Sequence, residues 1–106
     1  MNQRFLELKI KDKTITNNKE IENYLTNTDF YWLLNCEVDN VKIEIDTENN
    51  ILYWNNGIFY YGNWKWGVWN NGEFRSGKWN GGIFRSGKFN GEFIRGVKKE
   101  GEFNDS

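Results

Sequence analysis

The chain has 106 residues, with six tryptophans, eight phenylalanines and five tyrosines, no histidine and a single cysteine, Cys36. This composition excludes histidine-based catalytic triads, zinc sites that combine cysteine with histidine, and any intrachain disulfide. The formal net charge of −1 divides unevenly, with −4 on residues 1–50 and +3 on residues 51–106, and neither half is charged enough to indicate a nucleic-acid partner.

The first 35 residues predict a small α+β cap. Phe5–Ile10 partly alternates apolar and charged residues, as a strand does, and a polar KDKT turn follows. Asn17 or Asn18 can cap a short helix through NKEIENYLTN. Apolar side chains three and four residues apart share one face of this helix; they are Ile21, Tyr24 and Leu25. The following run FYWLLNC is almost continuously apolar, which is typical of a buried strand.

Cys36 ends this run, and we expect it to be a small buried hydrophobic residue and not a nucleophile. The N-terminal segment MNQRFLELKIKD mixes charged and apolar side chains. It resembles neither a signal peptide nor a membrane span. We therefore expect a cytoplasmic protein without membrane contact, located in the host cytoplasm if a bacteriophage encodes it.

Residues 36–106 predict a repeat region with a period of five. From Cys36 the chain reads CEVDN, VKIEI and DTENN, and after Ile51 it continues as LYWNN, GIFYY, GNWKW, GVWNN, GEFRS, GKWNG and GIFRS. One residue is lost in GKFN before GEFIR, GVKKE and GEFND. Only Glu48 and Lys98 break the rule that the third residue of a pentad is apolar. The apolar residues at the third position are Val38, Ile43, Trp54, Phe59, Trp64, Trp69, Phe74, Trp79, Phe84, Phe89, Phe93 and Phe103.

Because five is an odd number, these pentads cannot lie in one continuous strand. Side chains alternate between the two faces of a strand, so Phe74 and Trp79 would point to opposite sides. The chain must therefore turn once per pentad, at pairs such as Asn71-Gly72 that tolerate the positive φ of tight turns. The first and third residues of a pentad share a face, and the glycine leaves room for the neighbouring ring.

Two mainly β architectures satisfy one turn per pentad. In a short aromatic and glycine-rich β-solenoid, four pentads make one turn of a square coil, and the rings stack inside at about 4.8 Å per coil. In a single-layer β-meander, each x-Gly pair is a two-residue hairpin turn. We favour the solenoid, because strands of three residues make a narrow sheet whose aromatic row needs a cover. The predicted domains are the cap, residues 1–35, and the pentad-repeat β region, residues 36–106.

The pentads from CEVDN and VKIEI through GEFRS resemble the pentapeptide-repeat family, over roughly residues 36–105. The resemblance implies a right-handed quadrilateral β-helix with the first and third residues inward, although Gly and Trp here replace the usual Ala and Leu. Some members imitate DNA with an acidic surface, which the net positive repeat half does not match. A weaker likeness, to MORN repeats, rests on YYGNWKWG at residues 60–67. The Asn-, Lys- and Ile-rich composition also resembles small proteins of bacteriophages or mobile elements.

Tyr60, Tyr61 and Trp66 are candidate protein-binding residues. Trp66 occupies a turn position that the pentad places in solvent. With the two tyrosines it forms a cluster of the residue types that dominate protein interfaces. The alternative is that these rings pack on the N-terminal cap.

The basic residues of the repeat region form a second candidate site, a ladder with a spacing of ten residues. In the meander they line one sheet region at about 9.6 Å intervals and bind an anion such as nucleic acid. In a coil of four pentads, consecutive members fall on opposite walls and are ordinary solvated side chains, the interpretation we favour. The members of the ladder are Arg75, Lys78, Arg85, Lys88, Arg95 and Lys98.

We expect a non-catalytic binding protein that presents a rigid repeat surface to a protein partner, such as a phage-type inhibitor of a host or defence enzyme. One alternative is a virion or assembly protein that self-associates through the C-terminal end of the repeats, at Gly101–Phe103. Another is a nucleic-acid-binding repeat protein that uses the basic ladder. We expect no enzyme activity, cofactor or metal, because the sequence shows no nucleophile or base with a partner.

Overall fold

The computed structural model describes residues 3–103 of the chain. Its N-terminal part contains β1 Phe5–Ile10, β2 Lys13–Ile15, α1 Asn18–Thr26 and a 3₁₀ helix Tyr31–Asn35. The side chain of Asn17 accepts a hydrogen bond from the Glu20 amide and caps α1. Ile21 and Leu25 of this helix are buried. The predicted first strand and the predicted capped helix are therefore confirmed.

The buried strand predicted for FYWLLNC is wrong. Residues Tyr31–Asn35 form the 3₁₀ helix, in which Leu33 is fully buried while Tyr31 is 58% exposed. An apolar run of this length does not distinguish a strand from a helical turn by periodicity. The Cys36 amide donates to the Leu33 carbonyl at the end of this helix, and the next strand begins one residue later.

β3 Glu37–Asp46 and β4 Ile51–Tyr61 form a long antiparallel hairpin, with β1 parallel to β3 on its other side. The turn expected in every pentad is wrong for residues 36–50, which form most of this hairpin. A β-bulge resolves the parity conflict: Asn40 has a positive φ of 55°, and the register with β4 shifts nearby. The extra residue lets Val38 and Ile43, five positions apart, both face the core.

β4 and the strands that follow it form a β-solenoid of about three turns. The predicted solenoid is thus confirmed, and the meander is not what forms. Strands of two residues build the coils; they are β5 Asn63–Trp64, β6 Val68–Trp69, β7 Glu73–Phe74, β8 Lys78–Trp79, β9 Ile83–Phe84, β10 Lys88–Phe89, β11 Glu92–Phe93, β12 Val97–Lys98 and β13 Glu102–Phe103.

The coil contains three pentads, so the predicted square coil of four pentads is wrong. Trp54 pairs in parallel with Trp69, and Trp64 with Trp79, each 15 residues further along. Three corners then complete one turn, and the cross-section is triangular. The spacing falls to 14 residues between Trp79 and Phe93, because the pentad at GKFN lacks one residue.

The three walls of the solenoid are named here in chain order. Wall 1 comprises the first half of β4 with β6, β9 and β12, and wall 2 comprises the second half of β4 with β7, β10 and β13. Wall 3 comprises β5, β8 and β11. β4 serves two walls because it bends at Gly57, where φ is 128°.

The third residue of each pentad points inward and stacks on its counterpart in the next coil. The stacked sets are Trp54, Trp69 and Phe84 on wall 1, Phe59, Phe74 and Phe89 on wall 2, and Trp64, Trp79 and Phe93 on wall 3. Centroids within a stack lie 4.4–5.7 Å apart. Rings from different walls meet edge to face, an arrangement that aromatic quadrupoles favour. Three rings per coil fill the interior, which leaves no space for a fourth wall.

Glycine is required at the corners for a reason that differs in part from the prediction. Gly77 has a φ of 109°, and the atoms nearest to a Cβ built there all belong to the backbone of Gly62, one coil earlier. Glycine therefore allows the positive φ and the close approach of successive backbones. Room for a neighbouring ring is a secondary effect, seen at Gly91 beside Phe74.

The division into a cap and a repeat region at residues 35 and 36 stays a prediction. Buried side chains of the N-terminal strands, the helix and the coils form one hydrophobic cluster. The regular coil pairing begins with Tyr53 and Val68. Residues 1–2 of the predicted cap and residues 104–106 of the predicted repeat region lie outside the described residues.

Candidate functional site

The 3₁₀ helix packs against the start of wall 3. The ring of Trp32 meets the ring of Trp64 edge to face, with centroids 5.3 Å apart and an interplanar angle of 78°. Trp64 is fully buried and stacks on Trp79 of the next coil. This contact holds the helix, and with it the exposed ring of Tyr31, in a fixed position beside the first coil.

A small cavity, which we call the aromatic cavity, opens between the 3₁₀ helix and the first coil. Its volume is about 320 Å³, and its lining is Trp32, Asn35, Cys36, Tyr61, Gly62, Asn63 and Lys65. Tyr61 stands at its edge with 62% of its surface exposed. The cavity therefore combines aromatic rings with amide groups and one ammonium group, a mixture that suits a single side chain of a partner.

Cys36 lies in the wall of this cavity but is not a reactive thiol. Its Sγ is buried and lies 3.6 Å from the carbonyl oxygens of Trp32 and Asn63. Burial raises the pKa of the thiol to about 11, although the hydrogen bond with Asn63 acts in the opposite direction. The thiol is therefore protonated at neutral pH, which fits the predicted role of a small buried residue.

Trp66 lies at the corner between wall 3 and wall 1 and is 48% exposed. A Cβ on Gly81, at the same corner one coil later, would come within 3.2 Å of Trp66 Cδ1. The Gly81 carbonyl also accepts a hydrogen bond of 3.1 Å from the indole of Trp64. The exposed ring of Trp66 is thus packed along one side against a corner that the buried core holds in place.

Tyr60 and Tyr61 line different cavities, although they are neighbours in β4. Tyr60 is half-buried and borders a cavity of about 510 Å³, which we call the acidic cavity. The lining of the acidic cavity is Arg4, Leu34, Asn35, Cys36, Glu37, Val38, Asp39 and Tyr60. The guanidinium of Arg75 lies 5.0 Å from the centroid of the Tyr60 ring. Both cavities share Asn35 and Cys36, so they are adjacent.

The structure places two of the three candidate binding residues on one surface. Tyr61 and Trp66 are exposed at the two ends of wall 3 in the first coil, while Tyr60 belongs to the acidic cavity. The alternative prediction, that the rings pack on the N-terminal cap, also stays a prediction. We define the junction surface as Tyr31, Trp32, Tyr61 and Trp66 together with the aromatic cavity. A binding role for these residues stays a prediction.

Sequence reasoning missed Trp32, Arg4 and Asp39. Trp32 lies in the apolar run FYWLLNC, which predicts a buried strand and gives no sign of a site residue. Arg4 and Asp39 carry no local signal, because the parallel pairing of β1 with β3 brings together segments that are far apart in the sequence. The β-bulge at Asn40 interrupts the alternation of β3, so the sequence pattern predicts neither the side on which Asp39 lies nor the neighbours that bury it.

The basic ladder is divided among all three walls. Arg75 follows β7 on wall 2, Arg85 follows β9 on wall 1, and Arg95 follows β11 on wall 3. The lysines are distributed in the same way: Lys78 lies in β8 on wall 3, Lys88 in β10 on wall 2 and Lys98 in β12 on wall 1. The single stripe that the meander required therefore does not form. An anion-binding role for these residues stays a prediction.

Lys98 occupies an inward aromatic position at the last described coil. It pairs with Phe84, and its Nζ lies 4.8 Å from the centroid of Phe93 and 4.9 Å from that of Phe103. Such distances are typical of cation–π contacts. An ammonium group thus covers rings of the last coil, where an aromatic residue would extend the stack.

Within residues 3–103, no group of three or more metal-binding side chains comes together. The helices in the same range are too short or too polar to cross a membrane. No protein-family profile matches the chain, and neither a curated protein nor a solved structure with significant similarity was found.

Proposed function

We propose that the protein is a non-catalytic protein-binding module that contacts its partner through the junction surface. One observation carries the proposal: large aromatic side chains are exposed on a scaffold whose interior is fully packed. Tyr61 and Trp66 are 62% and 48% exposed, while Trp64 between them is completely buried. Tyr and Trp contribute most of the binding energy in many protein interfaces.

The rigidity of this scaffold supports the same role. Tyr61 pairs with Glu37 across the β3–β4 hairpin, and Trp66 lies against the corner formed by Gly81. Side chains that are already ordered lose little conformational entropy on binding, so more of their contact energy appears as affinity. The aromatic cavity beside Tyr61 offers a recess for one partner side chain.

The chemistry at this surface supports binding more than catalysis. The nucleophilic atom at the aromatic cavity is the Cys36 thiol, and burial keeps it protonated at neutral pH. The other polar groups around it are the amides of Asn35 and Asn63, the indole N–H of Trp32, the phenol of Tyr61 and the ammonium of Lys65. These groups can orient a ligand by hydrogen bonds, but the hydrogen-bond partners of the Cys36 thiol are the backbone carbonyls of Trp32 and Asn63 and not a side-chain base.

The test begins with capture of partners from a bacterial lysate on the tagged full chain, after nuclease treatment. A retained protein is identified and purified, and its affinity for the chain is measured by calorimetry. We expect Tyr61→Ala and Trp66→Ala each to weaken binding at least about tenfold, which corresponds to ~1.4 kcal/mol. Tyr53→Ala is the matched control, because Tyr53 is a partly exposed aromatic residue on wall 1.

Equal affinities for the wild type, Tyr61→Ala and Trp66→Ala would contradict the proposal, provided that circular dichroism shows all three folded. An effect of Tyr53→Ala as large as that of Trp66→Ala would place the binding surface on wall 1. Loss of every retained protein after nuclease treatment would favour the nucleic-acid alternative instead.

We propose more specifically that the partner is a host or defence enzyme, which the protein inhibits in the manner of a phage-type inhibitor. A rigid surface inhibits by covering the partner's active site, so inhibition should follow the same variants as binding. If the captured enzyme is fully active at saturating concentrations of the protein, the inhibitor form is wrong and the binding module remains.

A second candidate function, self-association, is favoured by the last described coil. Ile94 and Val97 are each 46% exposed, and the rings of Phe93 and Phe103 are only partly buried. Sedimentation velocity should then show a concentration-dependent dimer that Phe103→Asp abolishes. A monomer at all concentrations up to about 100 μM, a range in which contacts of at least ~5–6 kcal/mol would be seen, contradicts this candidate.

A further inference from the structure

Asp39 is the one charged residue of the described chain that is buried, with 7% of its surface exposed. It lies in β3 next to Val38, which faces the core. Asp39 pairs with Ile58 of β4, beside the inward pair of Val38 and Phe59, so its side chain is directed away from the core. It lines the acidic cavity. No described side chain or backbone group forms a hydrogen bond or ion pair with its carboxylate.

Both carboxylate oxygens of Asp39 keep some contact with water, so a cation that enters the cavity can reach them and pair with them. Arg4 also lines the cavity. The Arg4 guanidinium is already bound elsewhere: it donates to Glu22 Oε2 at 2.8 Å and to the carbonyls of Leu34 and Cys36 at 2.7 and 3.0 Å. Arg4 therefore forms no ion pair with Asp39 in this structure, and the Asp39 carboxylate is available to a cation from outside.

The other walls of the cavity suit an organic cation. Glu37 adds a second carboxylate at the edge, and Leu34 and Val38 add apolar surface for an alkyl chain. Tyr60 adds an aromatic ring, and Arg75 shows that this ring accommodates a guanidinium, at 5.0 Å. Arg75 is itself neutralised by Glu73, at 3.0 Å, so its charge does not repel a second cation strongly.

We propose that the acidic cavity binds a protonated amine or guanidinium, supplied by a lysine or arginine side chain of the protein partner. The proposed cation pairs with the Asp39 carboxylate, and its alkyl chain lies along Leu34 and Tyr60. The volume of about 510 Å³ lies within the range of pockets that hold small ligands. The protein source of the cation rests on the proposed function, because the cavity adjoins the aromatic cavity of the junction surface through Asn35 and Cys36.

The test uses small probes and the intact chain, so it does not depend on any partner. N-acetyl-arginine methylamide and N-acetyl-lysine methylamide are titrated into isotope-labelled protein, and the amide signals are followed by NMR. We expect saturable shifts confined to residues 36–39 and 58–61, with Kd on the order of 1–10 mM, as expected for one ion pair and a few apolar contacts. The neutral analogue N-acetyl-norleucine methylamide should cause no such shifts.

Asp39→Asn should weaken binding of both cationic probes at least about tenfold, while Asp12→Asn, at an exposed carboxylate of the β1–β2 turn, should leave it unchanged. If Asp39→Asn does not fold, Glu37→Gln and Tyr60→Leu replace it, with an expected weakening of about threefold each. Equal shifts with the neutral analogue, or equal binding by the folded Asp39 or Glu37 variants and the wild type, overturn the cation site.

A third probe, agmatine, separates the two sources of the cation. If agmatine binds at least about tenfold more tightly than the acetylated side chains, the cavity is a site for a free amine, and the proposal that a partner side chain supplies the cation is wrong. Similar affinities support the proposal. These titrations contain no partner, so a negative result would overturn the cation site without affecting the proposed role of the junction surface. Failure of the Tyr61→Ala and Trp66→Ala binding test would, in turn, not affect the cation site.

Discussion

Gly82 lies at a corner where successive coils approach each other through their backbones. Its φ is 97°, a value that L side chains rarely adopt, and a Cβ there would overlap the carbonyl oxygen of Gly67. The same oxygen accepts a hydrogen bond of 2.9 Å from the Ile83 amide. Gly82→Ala therefore either distorts the corner or separates the two coils.

The cost of Gly82→Ala has two parts. Holding a residue with a side chain in a strained backbone region costs ~1–3 kcal/mol. Forcing an extra methyl group against the backbone of Gly67, as in an overpacked core, costs a further ~1–3 kcal/mol. The free energy of unfolding should fall by about 2–6 kcal/mol, a large share of the ~5–15 kcal/mol that stabilises a typical domain. Urea unfolding followed by tryptophan fluorescence measures this change.

Gly81→Ala is the matched control, one residue earlier in the chain. The φ of Gly81 is outside the left-handed region, and a Cβ would meet Trp66 Cδ1 at 3.2 Å and the Lys65 carbonyl at 3.3 Å. Alanine also restricts the unfolded chain, which stabilises by ~0.4–1 kcal/mol. We expect a net change within about 1 kcal/mol. Equal stabilities of the Gly81 and Gly82 variants would refute the idea that backbone contact closes the corners.

Two further predictions concern the interior. Trp79→Ala removes a ring stacked on both Trp64 and Phe93, and it should lower the free energy of unfolding by ~3–5 kcal/mol. Trp66→Ala at the surface should change the free energy of unfolding by less than about 1 kcal/mol. Similar losses of stability for the two variants in urea unfolding would contradict the stacked core. Burial raises the pKa of Cys36 from 9.0 to about 11, so between these values the unfolded chain ionises first and stability falls as pH rises. The wild type should therefore lose more stability than Cys36→Ala between pH 9 and pH 11, and parallel stability curves for the two would contradict the burial of the thiol.

The odd length of the pentad predicts a corner in each repeat of the solenoid, and this feature can be predicted from the sequence. The number of corners per turn cannot be predicted in this way, because it depends on how many rings fill the interior of one coil. Trp54 and Trp64 belong to one coil and meet edge to face with centroids 5.9 Å apart, so large rings close the coil after three walls. Residues such as Ala and Leu in the same positions would fill the interior differently.

Residues 36–50 show how a correct rule can lead to a wrong local structure. Val38 and Ile43 obey the pentad spacing, and both are buried. The chain satisfies the parity rule there with a β-bulge at Asn40 and not with a corner. No glycine marks the bulge, since Asn tolerates positive φ, so the sequence carries little sign of it.

The candidate site was predictable where it depends on pentad position and unpredictable where it depends on the cap. The fifth position of a pentad lies at a corner, which correctly predicts that Tyr61 and Trp66 are exposed. The acidic cavity forms only because β1 and the end of the 3₁₀ helix meet β3 beside Tyr60. Such contacts join Arg4 with Leu34 and Cys36, and no short-range pattern reports them.

The positions of the wall residues and of the corner residue Trp66 depend on the coil of three pentads, and a disulfide tests this register directly. Asn70 Nδ2 donates to Asn55 Oδ1 at 2.8 Å, so these positions are neighbours on wall 1. Paired parallel strands lie about 4.8 Å apart, within the ~4.4–6.8 Å that a disulfide requires between Cα atoms. In a Cys36→Ala background, mild oxidation should cross-link Asn55→Cys with Asn70→Cys in most molecules, as free-thiol counting by mass spectrometry would show. Cross-linking of Asn55→Cys with Arg75→Cys instead, the pair that a coil of four pentads would align, would contradict the triangular solenoid.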